Sequence, residues 1–488
     1  MIGIKSYGAY LPKYLLPRKL IAKAWDFPSV PGTKAFAQAD EDSITMAVEA
    51  GLDCLVGIDP KSIDGLYYAT TTQVYTEKDS SSIISTVLDL REDIVTADFT
   101  DSLKSGTTAV ARAYDTIKAN DDISSILVVA ADQRQPQPST VWEYGFADGG
   151  AALLIADEDD IPISIDDTYS ISKNVTGPWK RRETDDFIRT FEVKMDGRFY
   201  FQSVLTVMQT ILQKNNLSPK DIDIAAYYYN NPKVFGGISK KMGFERGVAQ
   251  NSLFFQIGNT GTPMPFMLLI SALRRPDEDA KALMIGYGDG ADAILMQVQD
   301  RGATKKIGKT RMGMRSHQKT MNTIKNYNMY IDNKEWLEKD RYTRKSSAVT
   351  LWRDTDSVLK NYGVKCKSCG AIQYPDFHRA CYVCEADAED QMEKVKLSLK
   401  GEIFTYTLDH LIGGDYFDTP VPRCVIDLDG GGRVLLDMTE IEDPEENVEI
   451  GMRVEMTFRR MHEGGDFVNY YWKCRPERGR PDIVGGEK

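Results

Sequence analysis

The chain has 488 residues, a length that corresponds to about two to four domains. Its 42% hydrophobic and 27% charged residues are typical of globular proteins, and its net charge of −12 argues against general binding of nucleic acids. Residues 1–316 contain no histidine and a single cysteine, Cys54, which excludes Cys–His catalysis, Ser–His catalysis and a histidine-ligated metal confined to that stretch.

Neither an export signal nor a membrane span is predicted from the sequence. It has no run of about 18 apolar residues, and the N-terminal segment lacks the basic-then-apolar order of a signal peptide. Four of the seven cysteines are clustered, which favours metal binding in a reducing compartment over disulfide bonds. We therefore expect a cytoplasmic protein whose partners include neither membrane nor nucleic acid.

Residues 1–300 alternate short apolar runs with longer amphipathic stretches, which predicts an α/β domain. The clearest predicted helices cover Thr107–Lys118 and Phe201–Asn215. The predicted strands are Gly65–Ala69, Ile126–Ala131, Ala151–Ala156, Ile224–Tyr229 and Ala282–Tyr287.

The same stretch shows a weak internal duplication. Asp64 and Asp223 each precede a strand, and a small-residue turn that leads into a helix follows each strand, at Asp101 and at Gly258. Two similar halves are therefore predicted. The N-termini of their helices would meet near a pseudo-twofold axis, where free backbone N–H groups favour a binding site.

Residues 301–345 are strongly basic, with thirteen Lys or Arg against four Asp or Glu. Two interpretations remain open. The stretch is either a solvated linker or arm lying on an acidic surface, or a site for a polyanionic ligand such as the phosphates of coenzyme A. The next segment, Ala348–Tyr362, has helical spacing of its apolar residues.

Two CxxC pairs then predict a zinc site. Four thiolates at this spacing suit tetrahedral Zn²⁺ and leave no open coordination position, so the metal would be structural. Residues 397–476 follow with five alternating segments separated by glycine-rich turns, which is typical of a small closed β-barrel. The predicted zinc ligands are Cys366, Cys369, Cys381 and Cys384.

Several motifs of residues 1–345 resemble the thiolase superfamily, in the branch of the HMG-CoA synthases and ketoacyl synthase III. They are VTADFTDSLKSGTTAV, EYGFADGGAALLIA, PWKRRETDDF, DIAAYYYNNPKVFGGISKKMGF, IGNTGTPMPFMLLISAL and GYGDGADAI. Residues 346–476 resemble the zinc-ribbon and OB-fold proteins that accompany thiolases. The resemblance implies a duplicated five-layered αβαβα fold, a homodimer formed through this domain, and a CoA tunnel that ends at a buried cysteine, followed by a rubredoxin-like zinc ribbon and an OB-fold barrel.

The resulting domain prediction has seven parts. They are 1–165 and 166–300 (the two thiolase-like halves), 301–345 (basic linker or arm), 346–362 (helix), 363–394 (zinc ribbon), 395–476 (OB-fold) and 477–488 (tail).

The resemblance also implies site residues, and three of them differ from the family pattern. Leu103 stands at the position of the family's nucleophilic Cys, Thr71 at that of its Glu and Asn230 at that of its His. Asn259 retains the family residue, whose amide can donate to a thioester carbonyl or an enolate oxygen. The remaining implied residues are Gly288, Gly290 and Ala291 as backbone oxyanion donors, and Trp179, Arg181 and Arg182 as CoA-binding residues.

The sequence therefore predicts an acyl-CoA-binding protein that cannot form the family's covalent intermediate. It would act as the non-nucleophilic subunit of a complex that forms or cleaves a C–C bond, with a partner thiolase supplying Cys and His; a purely architectural role is the alternative within this reading. A second hypothesis is a non-covalent aldol or retro-aldol lyase, and a third is an active HMG-CoA synthase or ketoacyl synthase. Candidate proton carriers for the lyase are Tyr227–Tyr229, Asn230, Asp101 and Asp148.

Overall fold

The structure is a computed structural model that divides into two compact units. The first comprises residues 1–38, 42–85 and 90–336, and the second comprises 39–41, 86–89 and 337–488. The residues described are 1–175, 177–180, 187–190, 193–229, 231–274, 277–336, 347–386, 391–411, 419–464 and 467–481.

Residues 1–336 contain twelve described strands. All five strands predicted from the sequence are among them. The predicted strand Ile224–Tyr229 is shorter than expected and ends at Ala226, and beyond its end the Tyr229 hydroxyl donates to Asp196 at 2.6 Å. The strands are β1 (Ile2–Tyr10), β2 (Tyr14–Pro17), β3 (Thr33–Phe36), β4 (Gly65–Ala69), β5 (Val95–Phe99), β6 (Ser125–Gln133), β7 (Asp148–Asp157), β8 (Ile163–Ser172), β9 (Ile224–Ala226), β10 (Lys281–Tyr287), β11 (Gly290–Val298) and β12 (Asn322–Thr323).

Eleven described helices accompany these strands. Both helices predicted from the sequence are present, and each is longer than predicted. The helices are α1 (Arg18–Trp25), α2 (Ser43–Cys54), α3 (Ser80–Val87), α4 (Ser105–Ala119), α5 (Val141–Gly145), α6 (Val193–Lys214), α7 (Pro232–Met242), α8 (Met264–Ala272), α9 (Arg301–Thr310), α10 (Gly313–Thr320) and α11 (Tyr327–Asn333).

Nine strands form one sheet whose two halves repeat the same pattern. Its order is β5-β4-β6-β7-β1-β8-β11-β10-β9, and β2, β3 and β12 form a separate small sheet. In the first half β4 and β6 are parallel and β7 runs antiparallel to β6; in the second half β9 and β10 are parallel and β11 runs antiparallel to β10. The halves join through a short pairing of β1 with β8. The internal duplication inferred from the sequence is thus present.

The helices complete a five-layered arrangement. α4 and α8 contact strands of both halves, whereas α2 packs on the first half and α6 on the second. Almost every residue of α8 is buried, as expected for a helix covered on both sides. The main apolar core lies around α4 and α8, and a second core lies between α6 and its half-sheet. The predicted αβαβα fold is confirmed.

The basic stretch is not a solvated linker over its described part, residues 301–336. Its helices α9, α10 and α11 belong to the first unit. Ile307 and Met314 pack against the main core, and the amides of Met312 and Gly313 donate to the buried Asp53 carboxylate at 2.7 and 3.1 Å. These few apolar and backbone contacts outweigh the polar composition on which the linker prediction rested.

The second unit contains a three-stranded and a five-stranded sheet. Their orders are β14-β13-β15 and β18-β17-β16-β19-β20. The elements are α12 (Ala348–Arg353), α13 (Thr355–Val358), β13 (Tyr362–Cys366), β14 (Ile372–Gln373), β15 (Met392–Lys396), β16 (Lys400–Asp409), β17 (Val421–Leu428), β18 (Arg433–Asp437), α14 (Pro444–Asn447), β19 (Arg453–Glu463) and β20 (Val468–Pro476).

Two features of this unit bear on the sequence predictions. The single helix expected over Ala348–Tyr362 is two short helices, because Asp354, a poor residue for a helix interior, separates them and pairs with Arg353. The five predicted barrel strands are all present, and a bridge between Met438 and Cys474 brings the β18 end to β20. Among the described helices, none has the length and apolar character needed to cross a bilayer.

Candidate functional site

A cavity of about 640 Å³ lies in the first unit, where β4 and β10 end and α4 begins. Thr71, Leu103, Trp179 and Gly288, which the resemblance assigns to the site, all contribute to its wall. The other described lining residues are Thr72, Gln73, Val74, Thr76, Asp101, Ser102, Arg134, Gln135, Val175, Gly177, Pro178, Lys180, Ile188, Tyr287 and Asp289.

Leu103 lies in the turn that precedes α4, against the backbone of Gly288. The Ser102 hydroxyl donates to the Gly288 carbonyl at 2.9 Å, which joins this turn to the loop after β10. A Cβ at residue 288 would lie 2.7 Å from the backbone nitrogen of Leu103. Only glycine permits this close approach.

Asp292 holds the first turn of α4 from the neighbouring strand β11. Its carboxylate is buried, accepts from the hydroxyls of Thr107 and Thr108 at 3.0 and 2.7 Å, and pairs with Lys104 at 3.1 Å. The turn that carries Leu103 therefore has a fixed position. The sequence reasoning missed this role, although Asp292 lies inside the quoted motif GYGDGADAI.

Asp132, at the end of β6, organises the opposite wall. One carboxylate oxygen accepts from the Thr71 amide at 2.6 Å and the Thr70 hydroxyl at 2.9 Å. The other accepts from the amide and the hydroxyl of Thr262 at 2.8 and 3.0 Å. Asp132 thus positions Thr71 and the turn before α8 together. Sequence reasoning did not identify it.

Asn259 is absent from the described lining of this cavity. It is buried, its side-chain oxygen accepts from the Gly261 amide at 2.9 Å, and its side chain hydrogen-bonds the hydroxyl of Tyr228. Burial raises the pKa of Tyr228 to about 12. The donor role expected of Asn259 toward a ligand stays a prediction.

Arg134 is a further lining residue that sequence reasoning missed. Its side chain is buried, and its guanidinium stacks on the Phe146 ring at 3.7 Å from the centroid. Burial lowers the pKa of this guanidinium. Its Nε and Nη1 atoms have no hydrogen-bond partner among the described residues.

A buried carboxyl, Asp196, joins two tyrosines, of which one lines the cavity. Asp196 accepts from the hydroxyls of Tyr229 and Tyr287 at 2.6 and 3.2 Å. Burial raises the pKa of Asp196, and burial together with that carboxyl raises the pKa of both tyrosines. Tyr287 lines the cavity, whereas Tyr227–Tyr229 are absent from its described lining.

The other predicted residues divide between the site and its surroundings. Trp179 is 40% exposed at the cavity, and its backbone pairs with Arg189. Gly290 and Ala291 are buried at the start of β11, where Gly290 has a φ of 114°. Asp101 lines the cavity with a φ of 71°, and Asp148 is buried in an ion pair with Lys334. Asn230, Arg181 and Arg182 lie outside the described residues.

The four predicted metal ligands come together in the second unit. The sulfur atoms of Cys366, Cys369, Cys381 and Cys384 all lie within 4.8 Å of one another. Each CxxC pair forms the same turn, in which the residue after the second cysteine donates its amide to the carbonyl of the first, Gly370 to Cys366 at 2.8 Å and Glu385 to Cys381 at 2.9 Å. This arrangement is compatible with a zinc ribbon.

Comparison with known proteins identifies relatives of this chain. The hydroxymethylglutaryl-CoA synthase of Methanobrevibacter smithii is 31% identical over 323 residues, which are 63% of this chain and 91% of that protein. The chain belongs to the hydroxymethylglutaryl-CoA synthase family. A second member, from Archaeoglobus fulgidus, is 29% identical over 318 residues, which are 62% of this chain and 90% of the relative.

Solved structures agree with the synthase fold, and a separate family matches the barrel. An HMG-CoA synthase complexed with CoA superposes with a TM-score of 0.61 at 19% identity, covering 71% of this chain and 94% of its own. The 3-oxoacyl-[acyl-carrier-protein] synthase III from Aquifex aeolicus superposes with a TM-score of 0.53 at 19% identity, covering 61% of this chain and 100% of its own. The family model of the ChsH2 C-terminal OB-fold domain matches residues 394–459.

Proposed function

We propose that this synthase-family chain binds an acyl-CoA without becoming acylated and works as the non-nucleophilic subunit of a thiolase complex. The observation that carries the proposal is Leu103. It stands where the resemblance places the nucleophile and it lines the cavity. A hydrocarbon side chain forms no thioester, so the C–C bond would be made or cleaved with a cysteine from a partner thiolase.

The chemistry of the cavity wall supports this proposal. None of the described lining residues is Cys or His. Cys54 is buried elsewhere in the first unit, and burial raises the pKa of its thiol to about 12, so it is a poor nucleophile at neutral pH. No low-pKa thiol with an adjacent base is therefore available among these residues.

Coenzyme A is the proposed ligand. Its binding is supported by the synthase family relationship and by the structural neighbour that was solved with CoA. The exposed indole of Trp179 and the neighbouring Lys180 line the cavity and offer a stacking surface and a cation. Arg181 and Arg182 are proposed to extend this cationic surface.

The cysteine cluster of the second unit is proposed to hold structural zinc. Four thiol groups within one ion's reach suit Zn²⁺, and tight turns after each pair allow the ligands to converge. Bound zinc would cross-link the two knuckles and stabilise a small domain with little core of its own. The same part of the chain is proposed to dock the thiolase, and the first unit to form a homodimer.

Isotopic labelling tests the main proposal. The isolated protein is incubated with radiolabelled acetyl-CoA and examined for acid-stable label, with and without an added thiolase. We expect no label on this chain and turnover only with the thiolase. Stoichiometric label would overturn the proposal in favour of a conventional synthase, and turnover without label or partner would overturn it in favour of a non-covalent lyase.

A cysteine substitution tests whether Leu103 lies beside bound CoA. The variant Leu103→Cys places an alkylatable thiol on the cavity wall, and we expect saturating CoA to slow its reaction with iodoacetamide about tenfold. The wild-type protein is the control for alkylation of the other cysteines. Equal alkylation rates with and without CoA would place the ligand elsewhere.

A further inference from the structure

A buried carboxyl that the proposed function does not use connects two cavities of the first unit. Asp196, in α6, is 2% exposed, and its two oxygens accept from the hydroxyls of Tyr287 at 3.2 Å and Tyr229 at 2.6 Å. Tyr287 lines the cavity that contains Leu103, whereas Tyr229 lines a second cavity of about 420 Å³ between α6 and α7. Three hydrogen-bonded groups therefore link the two cavities.

The hydroxyl end of Tyr287 lies at the cavity wall. Gly177 also lines this cavity, and a Cβ there would lie 3.3 Å from Oδ1 of Asp196, the oxygen to which Tyr287 donates. The ring is held in place by Tyr200, which meets it edge-on at 5.0 Å and stacks on Tyr229 at 4.3 Å between ring centroids. The Tyr287–Asp196 pair is therefore close to a ligand in the cavity.

Tyr287 is oriented to receive a proton from such a ligand. A phenol has one O–H donor and acceptor lone pairs, and the hydroxyl of Tyr287 spends its donor on Asp196. Among the described residues, no donor bonds to the Tyr287 oxygen. Its lone pairs are therefore open to a proton, while its own proton already points at a carboxylate.

The environment of Asp196 suits a group that takes up this proton. Burial raises the pKa of Asp196, and the two tyrosine hydroxyls and the Arg134 guanidinium limit that rise by favouring the ionised form. A buried carboxylate of raised pKa is a stronger base than an ordinary one. Thr71, which stands where the resemblance places the family's Glu, supplies no carboxylate to the same cavity.

We propose that Tyr287, backed by Asp196, removes an α-proton from an acyl-CoA bound in the cavity. The α C–H bond breaks, its proton passes to the Tyr287 oxygen, and the hydroxyl proton of Tyr287 passes to Asp196. The electron pair of the broken bond moves into the thioester carbonyl and forms an enolate, so the step needs no further reactant. Tyr287 is the catalytic residue, and Asp196, which acts through it, is a positioning residue.

This inference rests on the proposed acyl-CoA binding and adds a chemical step that needs no nucleophile. The second tyrosine gives the proton a route to solvent. Tyr229 donates to the other oxygen of Asp196, and its cavity is also lined by the exposed side chains of Lys194, Arg198 and Gln202. The step should therefore be visible as exchange of the α-hydrogens with solvent.

Deuterated water tests this step on the full-length protein alone. Acetyl-CoA and butyryl-CoA are each incubated with the protein, proton NMR follows the loss of the α-hydrogen signal, and calorimetry measures binding. We expect the wild type to exchange at least about a hundredfold faster than a protein-free sample. Tyr287→Phe and Asp196→Asn should each lower the rate at saturating acyl-CoA about a hundredfold and leave the dissociation constant unchanged.

Tyr7→Phe is the matched control for the loss of a buried hydroxyl. Tyr7, in β1, donates to the Thr304 carbonyl at 3.2 Å and is absent from the described lining of the cavity. This variant should keep the wild-type exchange rate. If Asp196→Asn does not fold, Tyr287→Phe still decides the outcome, since it removes a single oxygen atom. Wild-type exchange in folded Tyr287→Phe would overturn the proposal.

Two exposed carboxylates, Asp101 and Asp289, also line the cavity and are the competing bases. The variants Asp101→Asn and Asp289→Asn separate them from Asp196. Loss of exchange in either of these variants, with Asp196→Asn as fast as the wild type, would overturn the proposal.

The binding measurements distinguish failure of this step from failure of the proposed function. If both acyl-CoA compounds bind and the wild type exchanges neither, the step is wrong and the acyl-CoA function stands. If neither compound binds, the proposed function fails and the step fails with it. Weaker binding to Tyr287→Phe with an unchanged rate at saturation would also overturn the proposal, because Tyr287 would then only contact the ligand.

Discussion

At the scale of single residues, Gly288 is a position in the cavity wall that has no room for a side chain. A Cβ at this position would lie 2.7 Å from the Leu103 nitrogen and 2.9 Å from the Lys104 nitrogen, and both are backbone atoms that cannot turn aside. We expect Gly288→Ala to cost about 1–3 kcal/mol of unfolding free energy and to weaken CoA binding. Denaturant unfolding and calorimetry measure the two effects.

Gly236 supplies the matched control for that substitution. It lies inside α7, and a Cβ there would meet nothing within 4 Å. Gly236→Ala should stabilise the protein by up to about 1 kcal/mol, because alanine favours the helix. If both variants were equally stable, the close packing of Gly288 against the turn before α4 would be wrong.

The cavity-lining residues that could be predicted are those carried by short motifs. Leu103, Thr71 and Gly288 follow from sequence segments whose order resembles the family, and all three line the cavity. The supporting carboxylates could not be found in this way. Asp292 reaches Thr107 across 185 residues and Asp132 reaches Thr262 across 130, so their partners are defined only by the fold.

At the scale of elements, the two cysteine knuckles have one geometry but different residues at its strained position. Gly370 has a φ of 78°, and its counterpart Glu385 has a φ of 57°. Both donate to the carbonyl of the first cysteine in the pair. Glycine adopts this left-handed conformation without the penalty that a side chain incurs.

This asymmetry predicts opposite effects of two substitutions on the proposed zinc site. Glu385→Gly should stabilise its knuckle by about 1 kcal/mol and slow zinc loss to a chelator, whereas Gly370→Ala should destabilise its knuckle by about 1 kcal/mol and speed that loss. Glu393→Gly, an exposed glutamate in β15, is the control and should not slow it. Zinc release that is indifferent to all three would contradict the shared geometry.

The helices and strands could be predicted where their apolar residues recur with a single clear period. Apolar runs predict the buried strands, and helical spacing of apolar residues predicts α4. Alternation of apolar and polar residues predicts the OB-fold strands. The helices of the basic stretch could not be predicted, because α9–α11 bury few side chains and depend on distant groups such as Asp53. The composition of such helices reflects their exposed faces and does not indicate which distant residues they contact.

At the scale of the whole molecule, the second unit is discontinuous in the sequence. It includes residues 39–41, which supply acidic partners to a buried ion cluster. Arg459 pairs with Glu41 and with Glu440, and Lys473 pairs with Asp40 at 3.0 Å. All five side chains are at most 3% exposed. Buried charges of this kind are destabilising when one partner is lost.

A fragment of residues 347–481 should therefore be less stable than the same unit in the full chain. Without Asp40 and Glu41, Arg459 and Lys473 lose buried partners, at a cost of about 3 kcal/mol. In the fragment, Arg459→Met with Lys473→Met should recover part of that loss, because apolar side chains need no partner. Urea unfolding monitored by tryptophan fluorescence measures each protein. If the fragment and its double variant unfolded at the same urea concentration, the ion cluster would not be the reason that the unit needs its N-terminal segment.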